Sequence, residues 1–129
     1  MTALALLLTA ALFGGMLLYS FGFAAFLFRH MPKDEAGRLL RRAFPVYYLL
    51  VIAVASTAAL LRLPADPTSA ALLAAVALTT IPARQVLMPQ INAASDAGDR
   101  RRFGWLHGAS VALGLLQIAA TAIALLRFL

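Results

Sequence analysis

Cysteine is absent, which removes disulfides, thiolate metal sites and a cysteine nucleophile and leaves the redox compartment unreadable. Acid is scarce: five Asp and Glu in 129 residues, none inside a long apolar run. A paired-carboxylate hydrolase and a proton relay through intramembrane acids therefore lack their usual groups. No glycine loop of the kind that cradles phosphates appears, nor any nucleophile beside a base, and an ATPase finds no support. Charge of either sign makes up only 12% of the chain, while 63% is apolar. Soluble domains average about 25% charged and about 45–50% apolar, so a water-soluble globule is excluded. The same numbers exclude disorder. An integral membrane protein remains.

The net charge of +6 does not point to nucleic acid, because the cations lie in gaps between apolar runs rather than on a basic face. Four runs carry no charge: Met1–Phe28 (28 residues), Ala43–Leu61 (19), Pro67–Ala83 (17) and Phe103–Leu126 (24). Crossing about 30 Å of hydrocarbon takes roughly 20 helical residues, so each run can cross once. In lipid each crossing must be helical, since no water satisfies an open backbone. The expected architecture is an all-α integral membrane four-helix bundle. It forms a single transmembrane domain over 1–129, with spans at about 3–28, 44–62, 68–90 and 103–126. The first run is expected to be retained rather than cleaved as a signal peptide, because Met1–Leu4 has no cationic segment.

Nine of the eleven Lys and Arg fall in two segments, 29–42 and 84–102, against Arg62 and Arg127 elsewhere. The positive-inside rule then places both segments in the cytoplasm and both termini outside. Asp34, Glu35 and the late arginines 38, 41 and 42 suit a short cytoplasmic amphipathic helix over 32–42, with Pro45 marking or kinking the start of helix 2. The link 63–67 reads as a tight outer turn, with Thr68 or Ser69 as the cap of helix 3. Pro82 predicts a kink, and residues 92–102 read as the main flexible loop.

Helix 4 carries the clearest pattern. Gly104, His107, Ser110, Gly114, Gln117 and Thr121 recur at spacings of 3, 3, 4, 3 and 4. Such a stripe must face other helices or water. It suits either polar glue between helices or a polar pocket. Tyr19 falls near mid-membrane, where its hydroxyl needs a partner. Arg84 follows the Pro82 kink and either snorkels to phosphates or turns inward. His107, Ser110, Arg84, Tyr47, Gln117 and Tyr19 are the candidate ligand-binding residues; the first four share one cytoplasmic level with His30 and Gln85. Gly104, Gly108 and Ala112, with Gly15 and Gly22 on helix 1, are candidates for close helix packing. They suit contacts within one chain or a homodimer or larger membrane complex. No catalytic residue, metal site or cofactor is expected. The alternative is a haem- or metal-linked redox protein using His30 and His107.

Gly14, Ser20-Phe21, Phe28-Arg29, Pro32, Phe44-Pro45, Tyr47, Phe103 and His107-Gly108-x-Ser110 together resemble the transmembrane protein 205 family. The resemblance runs from helix 1 to helix 4. Its most specific parts are the spacing from Pro32 to Phe44 and the Phe-x-x-x-His-Gly-x-Ser opening of helix 4. It departs near the inner end of helix 3, where the family often has Asn and this chain has Pro82 and Ala83. The resemblance implies a four-helix membrane protein with no assigned catalytic residue, whose bacterial members are described as a domain of unknown function. It implies a bacterial inner membrane. The expected function is non-enzymatic: binding or passing a small ligand or lipid at the cytoplasmic polar cluster, or serving as an accessory subunit.

Overall fold

Proline, glycine and aspartate set the corners of the chain. The computed structural model describes residues 1–129 and contains no strand. Its four helices are α1 (Thr2–His30), α2 (Lys33–Arg62), α3 (Pro67–Asp96) and α4 (Arg100–Leu126). Lengths of 27 to 30 residues correspond to about 40–45 Å, more than the hydrocarbon thickness. Each is apolar enough to cross a bilayer. The chain is a multi-pass membrane protein built as a four-helix bundle.

Three turns differ from expectation. The stretch 32–42 is not a separate helix: α2 runs unbroken from Lys33, with Pro45 inside it. Proline in a helix interior costs about 3 kcal/mol. Here the residues on both sides stay helical because Ala36 and Leu40 pack on Leu27 of α1, while Val51 lies in the main core. Residues 92–102 are not a long loop either. α3 continues to Asp96, and three residues connect it to α4. Gly98, at φ +67°, turns the chain in the left-handed region that favours glycine, and Asp99 caps α4 by accepting from the Arg102 amide. The cap of α3 is Asp66 rather than Thr68 or Ser69: its carboxylate accepts from both of their amides, with Pro67 in the first helical position.

Two helices contain π-helical turns. One follows Pro82 at Ala83–Leu87, where the missing proline donor loosens the ladder. The other, Leu18–Phe23 in α1, has no proline and no warning in the sequence.

Each helix packs on its neighbours in ring order, α1 on α2, α2 on α3, α3 on α4 and α4 on α1. The core is built largely from small residues. Ala55, Ala58 and Ala59 of α2 meet a face of α3 that includes Leu73, Val76 and Ala77. Small side chains let backbones approach closely, the main route to packing where lipid is as apolar as the protein. The glycine stripes do not form these contacts. Gly104, Gly108 and Ala112 are exposed, as are Gly15 and Gly22. A Cβ at Gly15, Gly104 or Gly108 would meet nothing within 4 Å.

The polar stripe of α4 divides for a geometric reason. From Gly104 to Thr121 the 17 steps turn through about 1,700°, about 100° short of five full turns, so it drifts around the helix. Gln117 and Thr121 are buried, Ser110 is half-buried and His107 is exposed. Gln117 Nε2 donates to Thr79 Oγ1 at 2.8 Å and Thr80 Oγ1 at 3.1 Å on α3. That part of the stripe bonds helix to helix, worth about 1 kcal/mol per bond.

A clasp closes the end of the bundle opposite the basic segments. Arg127 donates two hydrogen bonds to Asp66, at 2.9 and 3.0 Å. Ser69 Oγ donates a third, at 2.6 Å. Arg62, only 8% exposed, donates to the Arg127 carbonyl at 3.0 Å and lies 4.0 Å over the Phe128 ring. Hydrogen bonds from Arg127 and Ser69 hold the Asp66 carboxyl well below the usual carboxylate range. The charged form is therefore favoured by folding. Its contribution is complete above about pH 4 and is lost as pH falls through the lowered value. Thermal unfolding followed by circular dichroism checks this. Asp66→Asn lowers the midpoint at neutral pH, and the gap to wild type closes on acidification below about pH 4.

Candidate functional site

The stretch Phe44–Tyr48 of α2 gathers polar and aromatic groups from all four helices. Both π-helical turns deliver a side chain to it. Such turns re-aim residues and recur at functional sites. From α1, Tyr19 stacks on Tyr47 with ring centroids 4.1 Å apart and planes 6° apart. The same ring meets Phe44 edge-on at 5.2 Å. Tyr48 packs against both Phe44 and Tyr47, at 5.6 and 5.5 Å. Aromatic pairs of this geometry contribute about 0.5–1.5 kcal/mol each beyond burial. From α3, Arg84 Nε donates to the Pro45 carbonyl at 3.2 Å. Arg84 thus turns toward α2 rather than only to the membrane surface. Tyr47 lies beside Ser20 of α1 and Tyr48 beside Ser110 of α4.

Tyr19 stands apart chemically. Its hydroxyl is buried and has no hydrogen-bond partner. Leaving a buried hydroxyl unpaired costs about 1–3 kcal/mol. The same residue lines a groove of about 730 Å³ between α1 and α2. Gly15 and Gly22 form part of its α1 wall, opposite Leu50, Val51 and Val54. The missing side chain at Gly15 leaves open space, whereas a Cβ at Gly22 would lie 3.2 Å from Leu18 Cδ1. The lining runs from Ala11 to Phe26, about 22 Å of helix.

The structure brings together four of the expected residues, Tyr19, Tyr47, Arg84 and Ser110, and separates the others. Gln117 belongs to the α3–α4 seam. Gln85 is exposed. His30 is exposed, with Nδ1 2.9 Å from the Phe26 carbonyl. His107 is exposed and stacks on Phe103 at 5.3 Å, so it is not a buried contact between helices. The last turns of α1 do not form a packed pair with α4. The two histidines are thus both exposed, on α1 and α4, and no three His, Asp or Glu side chains group together. Phe44 and Tyr48 are functional candidates that sequence reasoning left out. Their signal was the aromatic run around Pro45, which reads equally as an interfacial belt.

The family model described as "Domain of unknown function (DUF4149)" matches residues 7–100. The match takes in most of α1 and all of α2 and α3, and with them the groove and every site residue except Ser110. No curated protein and no solved structure matches the chain.

Proposed function

The chain belongs to the DUF4149 family, and on that premise we propose that it binds one amphipathic molecule drawn from the surrounding bilayer. The apolar tail lies along the α1–α2 groove, and the polar group takes the Tyr19 hydroxyl as its hydrogen-bond partner. The protein binds this molecule without converting it. The observation that carries the reading is a buried, unpartnered hydroxyl on a residue whose ring lines an otherwise apolar groove, so that a small turn of the ring brings the hydroxyl to a bound acceptor. A bound acceptor would remove the cost of that orphan group, so affinity and fold repair come from the same contact.

The membrane is a bacterial inner membrane. The end carrying His30 and Asp96 faces the cytoplasm, with both termini outside, because nine of eleven Lys and Arg lie at that end. The resemblance to the transmembrane protein 205 family supports a membrane role and assigns no chemistry. Tyr19→Phe tests the reading, since it removes one oxygen and keeps the ring stack. In native mass spectrometry of the purified chain, the variant should retain its co-purifying amphiphile about tenfold less well than wild type, the size of one buried hydrogen bond. Equal retention, with helical content unchanged, would remove Tyr19 as the anchor and the reading with it.

A further inference from the structure

We propose that the first three turns of α4 bind an anionic phospholipid, at a surface separate from the α1–α2 groove. Arg100 and Arg101 are exposed and form no ion pair. The carboxylate next to them, Asp99, is used to cap the helix at the Arg102 amide. Two guanidinium groups one residue apart therefore stand free at the end of a membrane-crossing helix. Guanidinium forks match phosphate oxygens in two-point hydrogen bonds.

Directly below them is a shallow open face of α4 presented by Gly104, Trp105, Gly108, Ala109 and Ala112, with the two arginines at its rim. Trp105 is 76% exposed, the amphipathic ring that settles at head-group depth. Below Trp105 the helix presents a shelf without side chains, because a Cβ at Gly104 or Gly108 would meet open space. Gly104 to Ala112 spans about 12 Å, close to one leaflet of a core about 30 Å thick. Cations at the rim, an indole beneath them and a leaflet-deep shelf follow the order of a phospholipid: phosphate, glycerol, acyl chain. The α1–α2 groove, about 22 Å long and without a cation in its lining, does not share this order.

A second copy of the chain fits the same face less well. A two-fold contact sets the same patch against itself, and in a membrane it would bring four arginines together at one depth. Like charges juxtaposed at an interface are costly, whereas an anionic head group neutralises them. A zwitterionic head group brings its own ammonium and cancels part of the attraction.

The test is native mass spectrometry of the full chain, titrated separately with phosphatidylglycerol and phosphatidylcholine. Wild type should prefer phosphatidylglycerol. Replacing both arginines (Arg100→Gln with Arg101→Gln) should weaken that binding roughly thirty-fold, the effect of two cations at a membrane surface. Arg38→Gln with Arg42→Gln removes the same charge from α2 and should leave binding close to wild type. Gly108→Leu keeps both cations, blocks the shelf and should also lose the lipid. Gly15→Leu, in the other groove, should leave the part of the binding that depends on Arg100 and Arg101 in place. Circular dichroism checks that each variant keeps its helices. Equal loss in the two double variants, equal affinity for the two lipids, or disappearance of the arginine-dependent binding on Gly15→Leu would overturn the proposal. So would disulfide-linked dimers of Gly108→Cys in phosphatidylcholine vesicles.

Discussion

Gly15→Leu should empty the α1–α2 groove and leave the bundle standing. A Cβ at position 15 meets nothing within 4 Å, so the new side chain enters the groove rather than a neighbouring helix. It lies one turn from Tyr19, on the wall opposite Leu50 and Val51. The ligand loses volume along its tail as well as access to the hydroxyl. Retention should fall by more than the roughly tenfold expected for losing one hydrogen bond. Stability should move the other way. Leucine is a better helix former than glycine by nearly 1 kcal/mol in an exposed helix interior. Binding lost while stability is kept or raised is the signature of a site rather than a structural element. Native mass spectrometry for retention and a denaturant titration for stability, run on one preparation, read both.

Ala58→Leu should do the reverse. Ala58 is fully buried in the core cluster shared by α2 and α3. Three added carbons have no free volume there and must push the helices apart. Overpacking of this kind costs about 1–3 kcal/mol, a large share of the about 5–15 kcal/mol that separates folded from unfolded domains. Gly108→Leu adds more carbon on an open helix face and should cost little or nothing. Unfolding in a sodium dodecyl sulfate titration compares the two. If Gly108→Leu is the more damaging, the α4 glycines pack against something, and the seam has been misplaced.

That contrast shows what the sequence could and could not reveal. Breaks between charged residues located the four crossings, because hydrocarbon tolerates charge poorly along a whole helix. Small residues at four-residue spacing did not locate the tight seam. Such spacings occur on every helix of so alanine-rich a chain, and only the assembled bundle decides which face turns inward. Gly104 and Gly108 stood out as glycines, yet Ala55, Ala58 and Ala59 are buried. The α4 stripe was legible as a period and misleading as a face, because an average step below 3.6 residues winds around the helix.

The site followed the same pattern. Tyr19 was visible as a hydroxyl placed too deep, and Arg84 as a cation beside a proline. Their meeting at Phe44–Tyr48 depends on two π-helical turns, of which only the one after Pro82 had a local cause. The Asp66 clasp was hidden for another reason. Arg127 and Asp66 are 61 residues apart in sequence, and each is a single charge in a short segment that reads as ordinary loop polarity.

Photo-crosslinking tests the bound amphiphile most directly. Leu50 lines the groove and is 60% exposed; Leu116, 68% exposed, lies on α4 outside it. A photoreactive benzoylphenylalanine is placed at one or the other position and irradiated in native membranes. The adducts are then identified by mass. Position 50 should capture one dominant species, competed away in the Gly15→Leu background, while position 116 captures the bulk lipid mixture. The same mixture at both positions would contradict a bound ligand in the groove.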